Sequence, residues 1–586
     1  MNTSFELTDP DKSLELARNR ILLLSIGRLI LFFLMGIVLV VGIADAHWTV
    51  LFFIPLSILF VWLILQFNHQ KDVEGFYLAV KEIADMKQKR KERDLSDFDS
   101  GSKFLDPRHP FSSDLDLFGE HSLYQLINHT VSKGGSKKLA QWMRFSLPRE
   151  EAGRKQEALM ELSKKEKFLV VFEALGKAFL KQEKSKVLFY QWLKSPVTWR
   201  PVYLLPMILG PISGLLVLIG VLFGYIPAAY LSLFILIGLG VLSLVFKPLM
   251  KAMKAMPNDS DLKTFQAWAG LLEEENFDHP LLQTYQEPVK NHGFLASDAL
   301  KQLESLTFLI QNRTNLMYLI FNVFFWTDFY LLYRLSSWKE EVGKSMKDWE
   351  ENFENWEALV SLASFIQEEK LANPASWSTE KVLTMKAVKH PLIKPEHCIA
   401  NDFSLNEKEQ VVLLTGSNMS GKTTFMRTVG INLVLAGMGV PPFAETFICG
   451  PFQLYTSMRN TDSLGESVSS FYAELARIKG LLDHAANGTP IFYLLDEILK
   501  GTNTSDRITG SEALIRQLAQ SASKGIISTH DIELSELENR LPSLVNYSFH
   551  HDIQQDKIVF DYTIKRGPCP NFNAQKLMEL MGIKIN

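Results

Sequence analysis

The chain has 586 residues, with 61 Lys and Arg against 65 Asp and Glu, a net charge of −4 and three cysteines. This length exceeds what one core can serve, so roughly two to four domains are expected, and near-neutral charge excludes a molecule-wide electrostatic footprint for nucleic acid. Cys398, Cys449 and Cys569 lack metal-type spacing and fit a reducing compartment.

A mean hydropathy of +0.03 hides strong segregation along the chain. Residues 1–20 are polar and read as a cytoplasmic N-terminus. The apolar runs Ile21–Ala44 and Trp48–Phe67 follow, each long enough to cross a bilayer. Arg28 lies inside the first run, so the span begins after it or its side chain snorkels to the interface. A cleaved signal peptide fits poorly, because the second run follows so closely and no small-residue cleavage site stands out. Residues 21–67 therefore read as a first transmembrane hairpin.

Lys87, Lys89, Arg90, Lys91 and Arg93 come next, a basic cluster that suits either anionic headgroups or a solvated helix face. With Lys12, Arg18 and Arg20 before the hairpin, basic residues flank both of its ends, which places both in the cytoplasm. Residues 68–200 read as a soluble helical segment. A second pair of apolar runs, Val202–Phe223 and Ile226–Phe246, makes a second hairpin over 201–246, again with basic flanks (Lys194 and Arg200 before, Lys247, Lys251 and Lys254 after). The expected location is a multi-pass protein of a bacterial inner membrane, with its soluble parts cytoplasmic.

Residues 247–375 read as a helical domain. Within it, Leu316–Leu332 is apolar but shorter between Arg313 and Asp328 than the ~20 residues of a spanning helix, and it is expected to be a buried helix. Trp338, Trp349, Phe353, Trp356 and Val360 recur at helical spacing and read as core.

The chemistry is concentrated in residues 376–586. Gly416-Ser417-Asn418-Met419-Ser420-Gly421-Lys422-Thr423 fits G-x-x-x-x-G-K-[ST]. Before it, Val411–Leu414 reads as a buried parallel strand; after it, Thr424–Leu435 reads as a helix with Phe425, Val429, Leu433 and Ala436 on one face. In that setting the backbone N–H groups wrap phosphates and the helix N-terminus adds positive potential. Lys422 would reach the β- and γ-phosphates of ATP, and Thr423 would ligate Mg²⁺. Ile491–Leu495 is a hydrophobic strand ending in Asp496, placed to hold the metal, and Glu497, placed to polarise the attacking water. Ile526–Thr529 ends in His530, a candidate γ-phosphate sensor. The run Gly501–Asp506 follows Glu497 closely. Ser467, Ser469 and Ser470 stand at a helix start that is able to cap the helix or donate to a phosphate, in its own chain or across a dimer.

Together T-G-S-N-M-S-G-K-T-T, S-S-F-Y-A-E, L-L-D-E-I-L-K-G-T-N-T-S-D and S-T-H-D resemble the ATPase domain of the MutS family of DNA mismatch repair proteins. His390-Pro391 and Ile399-Ala400-Asn401-Asp402 resemble the start of that domain, near where adenine sits, which adds Ile399 and Thr424 to the nucleotide contacts. Residues 116–142 resemble the family's core segment before its lever helices. The resemblance implies an ABC-type α/β P-loop NTPase domain behind an all-α core and lever domain, here with four transmembrane helices in two hairpins. It also implies a homodimer whose sites are closed by the partner's Ser469 region, with ATP and Mg²⁺ as cofactors and DNA as a partner. It does not reach over the apolar pairs, and no F-x-E element stands in a suitable place. A membrane-anchored MutS-like ATPase is the leading expectation. An ABC-type transporter, which would lack its L-S-G-G-Q signature here, and an ATP-gated scaffold without DNA binding are the alternatives.

Overall fold

The structure, a computed structural model, describes residues 7, 9–44, 52–180, 186–227, 229–290, 293–417, 420–458, 470–488, 490–554 and 557–569. Its fifteen leading helices are α1 (Pro10–Ala44), α2 (Phe53–Lys91), α3 (Leu123–Ile127), α4 (Lys133–Arg144), α5 (Arg149–Ser163), α6 (Glu166–Phe179), α7 (Val187–Lys194), α8 (Leu204–Leu222), α9 (Ala229–Ala255), α10 (Asp259–Glu274), α11 (Pro280–Lys290), α12 (Ala296–Gln311), α13 (Leu316–Phe325), α14 (Thr327–Val342) and α15 (Met346–Glu369). Then come β1 (Ser376–Trp377), β2 (Leu383–Val388), β3 (Asn401–Leu405), β4 (Val411–Thr415), α16 (Lys422–Gly437), β5 (Thr446–Cys449) and β6 (Gln453–Ser457). The chain continues through α17 (Ser470–Ala486), β7 (Ile491–Leu495), α18 (Thr504–Ala519), β8 (Lys524–Thr529), β9 (Leu544–Gln554) and β10 (Lys557–Arg566). Two compact units form: residues 1–85, 130–136 and 167–360, and residues 86–129, 137–166 and 361–586.

The first unit is helical. Among the described residues four helices are long and apolar enough to cross a membrane: α1, α2, α8 and α9. The first two run antiparallel, tied by Lys81–Asp11 at 2.7 Å and Arg18–Glu74 at 3.1 Å. Arg28 lies in the apolar part of α1 with its guanidinium 3.8 Å over the Phe67 ring of α2, where cation–π attraction offsets some of its lost hydration. The turn between these helices lies outside the described residues.

The aromatic stripe is core, as its spacing predicts. Trp268, Trp349, Phe353 and Trp356 are fully buried, and Trp268 stacks on Phe172 with ring centroids 4.7 Å apart. A buried indole N–H needs an acceptor. Trp268, Trp349 and Trp356 donate to the carbonyls of Phe172, Pro288 and Tyr285 at 2.8, 2.8 and 3.0 Å.

The buried helix expected over 316–332 is not what forms. The segment breaks at Trp326, whose φ of 49° is left-handed, into α13 and α14 with a 94° bend between them. Leu316, Met317, Ile320 and Phe321 are exposed. Asn322, polar and inside the apolar run, bridges the break: its carbonyl accepts the Trp326 N–H that ends α13, and its side chain accepts the Asp328 N–H in the first turn of α14.

The second unit carries two sheets, one in the order β1-β5-β2-β3 and one of six strands in the order β10-β9-β4-β8-β7-β6. In the larger sheet β6, β7, β8, β4 and β9 are parallel and β10 closes the edge as an antiparallel hairpin arm. Both β4 and β7 are buried at every position, which explains their unbroken apolar runs. Val411, Leu413, Tyr493, Leu495 and Ile527 from three neighbouring strands share one core. α16 is buried on nearly every side, not along the single face its periodicity suggests. The basic cluster is split by the fold. Arg93 is buried in a paired contact with Glu369 at 2.7 and 2.8 Å and bonds the Pro391 carbonyl, while Arg90 bonds the Asn128 carbonyl at 2.7 Å. Those two side chains hold this unit together and face neither lipid headgroups nor solvent.

Candidate nucleotide site

Parallel strands deliver their carboxyl ends to one edge of the sheet, and loops leaving that edge build the site. Register puts Thr415 of β4 opposite Thr529 of β8, and Leu495 of β7 opposite Ile527. The loop after β4 therefore meets Asp496 and Glu497 after β7 and His530 after β8.

The loop Gly416–Thr423 turns where only glycine fits. Gly416 has φ 154° and a Cβ there would stand 2.8 Å from Ser420 Oγ and 3.1 Å from the Phe549 carbonyl. Gly421, with φ 104°, begins α16. Ser420 Oγ is buried and has no hydrogen-bond partner among the described residues, as a hydroxyl meant for an external acceptor would be. Asn418 and Met419 lie outside the described residues. Lys422 is buried and donates to the carbonyls of Gly416 and Ser417 at 2.8 and 3.0 Å, so its ammonium sits inside the loop. Burial pushes its pKa down to about 8, with Asp496 opposing the shift.

Thr423 Oγ1 donates to Asp496 Oδ2 at 2.6 Å, and Ser528 Oγ donates to the other carboxylate oxygen. These are hard oxygen ligands of the kind Mg²⁺ prefers, and the Asp496 N–H bonds the Ser457 carbonyl at 2.9 Å, which fixes the strand end. Among the described residues no cluster of three or more His, Cys, Asp or Glu side chains converges, so a metal here would be held by this pair and by phosphate oxygens.

Glu497 has a left-handed backbone, φ 50°, and its N–H bonds both the carbonyl and the hydroxyl of Ser528, at 3.1 and 3.0 Å. Its carboxylate is gripped from two sides, by Lys500 and by His530 Nε2 at 2.8 Å. A carboxylate accepts only, so the shared proton is on Nε2. Burial, then the charges of Lys422 and Lys500, lowers the His530 pKa, which favours the neutral ring. His530, expected to face a γ-phosphate, thus sits directly on Glu497. Behind it Arg507 forks onto Asp531 at 2.9 and 2.7 Å.

Of the serine helix start, Ser467 and Ser469 lie outside the described residues, and Ser470 opens α17. The first turns of α17 meet the loop after Glu497: the Leu499 N–H bonds Glu474, and a Cβ on Gly501 would stand 2.6 Å from Phe471.

A cavity of about 220 Å³ opens beside Gly421 and is lined by His390, Ile399, Asn401, Thr424, Phe549 and Tyr562, among others. Ile399 and Thr424 are thereby brought together, and the size and partly aromatic wall suit a purine ring. His390 is neutral, its pKa pushed down to about 4 by burial first and then by Arg427. Phe549 and Tyr562 come from the β9–β10 hairpin and carry no motif that a sequence reading finds. Asn401 pins that hairpin, accepting from the Ile564 N–H at 2.7 Å and donating to the Tyr562 carbonyl at 3.0 Å.

Residues 412–583 match the family model described as MutS domain V. A DNA mismatch repair protein MutS from Geobacillus thermodenitrificans is 30% identical over 236 residues, 39% of this chain and 26% of that protein. One from Listeria monocytogenes is 32% identical over 253 residues, 41% and 29% of the two chains. A third, from Staphylococcus haemolyticus, is 31% identical over 217 residues, 36% and 24%. The chain therefore spans between about a quarter and three tenths of the length of these curated relatives.

Proposed function

Because the C-terminal part of this chain, residues 412–583, belongs to the MutS family, we propose that the protein is a membrane-anchored ATPase. It binds ATP with Mg²⁺, hydrolyses it in a homodimer and couples the cycle to DNA or to another partner near the bilayer. The observation that carries this reading is the convergence at one sheet edge of Lys422, the Thr423–Asp496 pair and the Glu497–His530 pair.

The geometry supports these roles. The Gly416–Thr423 loop and the start of α16 hold the phosphates, with Lys422 leaving its two loop carbonyls for phosphate oxygens. Thr423 and Asp496 would hold Mg²⁺, which would supply positive charge against the charge that develops on the transferred group. Glu497 accepts the proton of the attacking water. His530 orients that carboxylate and, neutral, adds no charge that would depress its basicity. The adenine lies against Ile399, Phe549 and Tyr562. The resemblance to the MutS family adds the Ser469–Ser470 region of the partner subunit as the part that closes the site.

The four apolar helices span a bacterial inner membrane as two hairpins, with their basic flanks and the ATPase domain on the cytoplasmic side. DNA is the first partner to test, since the relatives are named for DNA mismatch repair. A mismatch-specific grip is not part of this proposal.

The decisive experiment is the ATPase rate of the detergent-solubilised full chain with and without duplex, mismatched and branched DNA. Lys422→Ala abolishes ATP binding, and Glu497→Gln keeps binding but stops turnover. Wild-type turnover in the Glu497→Gln protein would show that the base is misassigned. Absence of both stimulation and binding at low salt, where phosphate contacts are strongest, removes DNA from the account. Single cysteines at Asp45 and Tyr225 are labelled only from outside the cell if the topology is right.

A further inference from the structure

We propose that α13 is a re-entrant membrane helix, inserted part-way into the hydrocarbon beside the second hairpin, with α14 lying along the interface. The inference rests on the membrane reading of α8 and α9 and adds an intramembrane element to it.

The first support is how α13 is seated. Three glycines of the spanning helices cradle its C-terminal end. A Cβ at Gly214 of α8 would overlap the Phe324 carbonyl oxygen, one at Gly210 would stand 3.0 Å from the Phe325 carbonyl, and one at Gly238 of α9 would stand 3.0 Å from the Val323 carbonyl. Small residues that let backbones touch are how helices associate in lipid, where no hydrophobic drive exists between them.

The second is what α13 leaves uncovered. Its outer side presents Leu316 at 71% exposure and Phe321 at 54%, with Met317, Leu319 and Ile320 between. α8 and α9, against which α13 packs, also expose apolar side chains, for example Leu216 and Leu236. An apolar surface packed beside two spans is what hydrocarbon covers, so bilayer lipid is the occupant.

The third is the treatment of polar groups. Ten residues give a helix about 15 Å long, half of the ≈ 30 Å hydrocarbon core, so α13 must end inside or turn back. A break at that depth is tolerated where the freed backbone groups find protein partners; among the described residues the buried Trp326 indole N–H is the side-chain group at the break without one. Here Asn315 caps the start through the Met317 N–H at 3.0 Å. At the break the Trp326 N–H returns to the Asn322 carbonyl at 2.8 Å, and Asn322 Oδ1 accepts from the Asp328 N–H at 2.8 Å and Thr327 Oγ1 at 3.0 Å. Asp328 is in turn saturated by Arg313 Nε at 2.9 Å, Arg313 Nη2 at 2.5 Å and the Tyr318 hydroxyl at 2.8 Å.

The fourth is the ring of amphipathic aromatics at the foot of α8. Trp199 meets Tyr203 and Tyr333 with centroids 5.7 and 5.1 Å apart, and Tyr203 meets Phe329 at 5.6 Å. Trp and Tyr collect at the headgroup level. Their link to α14 places that helix there, and the 94° bend then directs α13 toward the bilayer interior.

The test is spin labelling of single cysteines at Ile320 and Phe321, on a background with Cys398, Cys449 and Cys569 replaced, in the full chain reconstituted into phosphatidylcholine vesicles. Leu216 reports the membrane reading and Gln302 is the water-exposed reference. Labels on α13 are expected to collide with dissolved oxygen more than with a water-soluble nickel chelate, as at Leu216 and opposite to Gln302. Nickel accessibility at α13 with Leu216 still protected overturns the re-entrant helix alone. Nickel accessibility at Leu216 as well overturns it together with the membrane reading. Spin–spin broadening between α13 labels, with neither reagent reaching them, shows a second copy as the occupant and also overturns it.

Discussion

His530 Nε2 donates to Glu497 Oε1 at 2.8 Å across 33 residues of sequence, and Lys500 holds the other carboxylate oxygen. A hydrogen bond to a charged group is worth roughly 1.5–3 kcal/mol, which translates into about a 10- to 100-fold effect if it is needed in the transition state. His530→Ala is therefore expected to lower kcat by that factor with ATP affinity nearly unchanged. Steady-state kinetics beside equilibrium nucleotide binding check this, and a loss confined to binding would return His530 to a phosphate-contacting role.

Asn401 is the pin of the hairpin that walls the adenine cavity. Asn401→Ala leaves the buried Ile564 N–H without its acceptor, a cost of roughly 1–3 kcal/mol, and frees Tyr562 to move. ATP binding should weaken by about 5-fold or more while kcat at saturation holds, measured by titration with a fluorescent ATP analogue and by saturating turnover.

Lys155, in α5, is fully buried with its ammonium 3.4 Å over the Trp142 ring, and burial pushes its pKa down to about 7. The ring returns part of the lost hydration, but desolvation dominates. The unfolded chain keeps the lysine protonated up to about pH 10.4, so between roughly pH 7 and 10 the unfolded state binds more protons and stability rises with pH. Lys155→Met removes that dependence. Thermal melts of the two proteins in detergent should differ most at or below pH 7, with the variant the more stable, and converge as pH rises.

Gly214 and Gly240 make a matched pair on the spanning helices. A methyl at Gly214 overlaps the Phe324 carbonyl, whereas one at Gly240 meets nothing within 4 Å. Gly214→Ala should cost on the order of 1–3 kcal/mol, as overpacking does, and lower the melting temperature in detergent. Gly240→Ala should be neutral, and equal effects from both would deny the close seating of α13 against α8.

Much of the nucleotide loop can be read directly. Gly416, Gly421, Lys422 and Thr423 fall within eight consecutive residues, and the buried strand before them and the helix after them leave local signatures. Asp496 and Glu497 are legible because a run of five apolar residues ends at them. The aromatic stripe through Trp349 and Trp356 is legible because helical periodicity survives burial. By contrast, nothing local marks Phe549 and Tyr562: they reach the cavity only because β9 pairs with β4 and because Asn401, 161 residues before Tyr562, holds the hairpin down. Arg90 and Arg93 misled as part of a charge run, since composition cannot tell a solvated arginine from one paired with Glu369.

The same division holds for the whole chain. Sequence alone determined the phosphate loop, the two carboxylates behind it and the four long apolar helices, because each is written in neighbouring residues by spacing or by unbroken hydrophobicity. Only the tertiary structure decided that His530 bears on Glu497, that Phe549 and Tyr562 wall the cavity, and that the segment 316–332 bends at Trp326 with its apolar side uncovered. Those outcomes depend on contacts between residues far apart in sequence, such as Asn401 with Ile564 and Phe324 with Gly214, which no local spacing or hydropathy records.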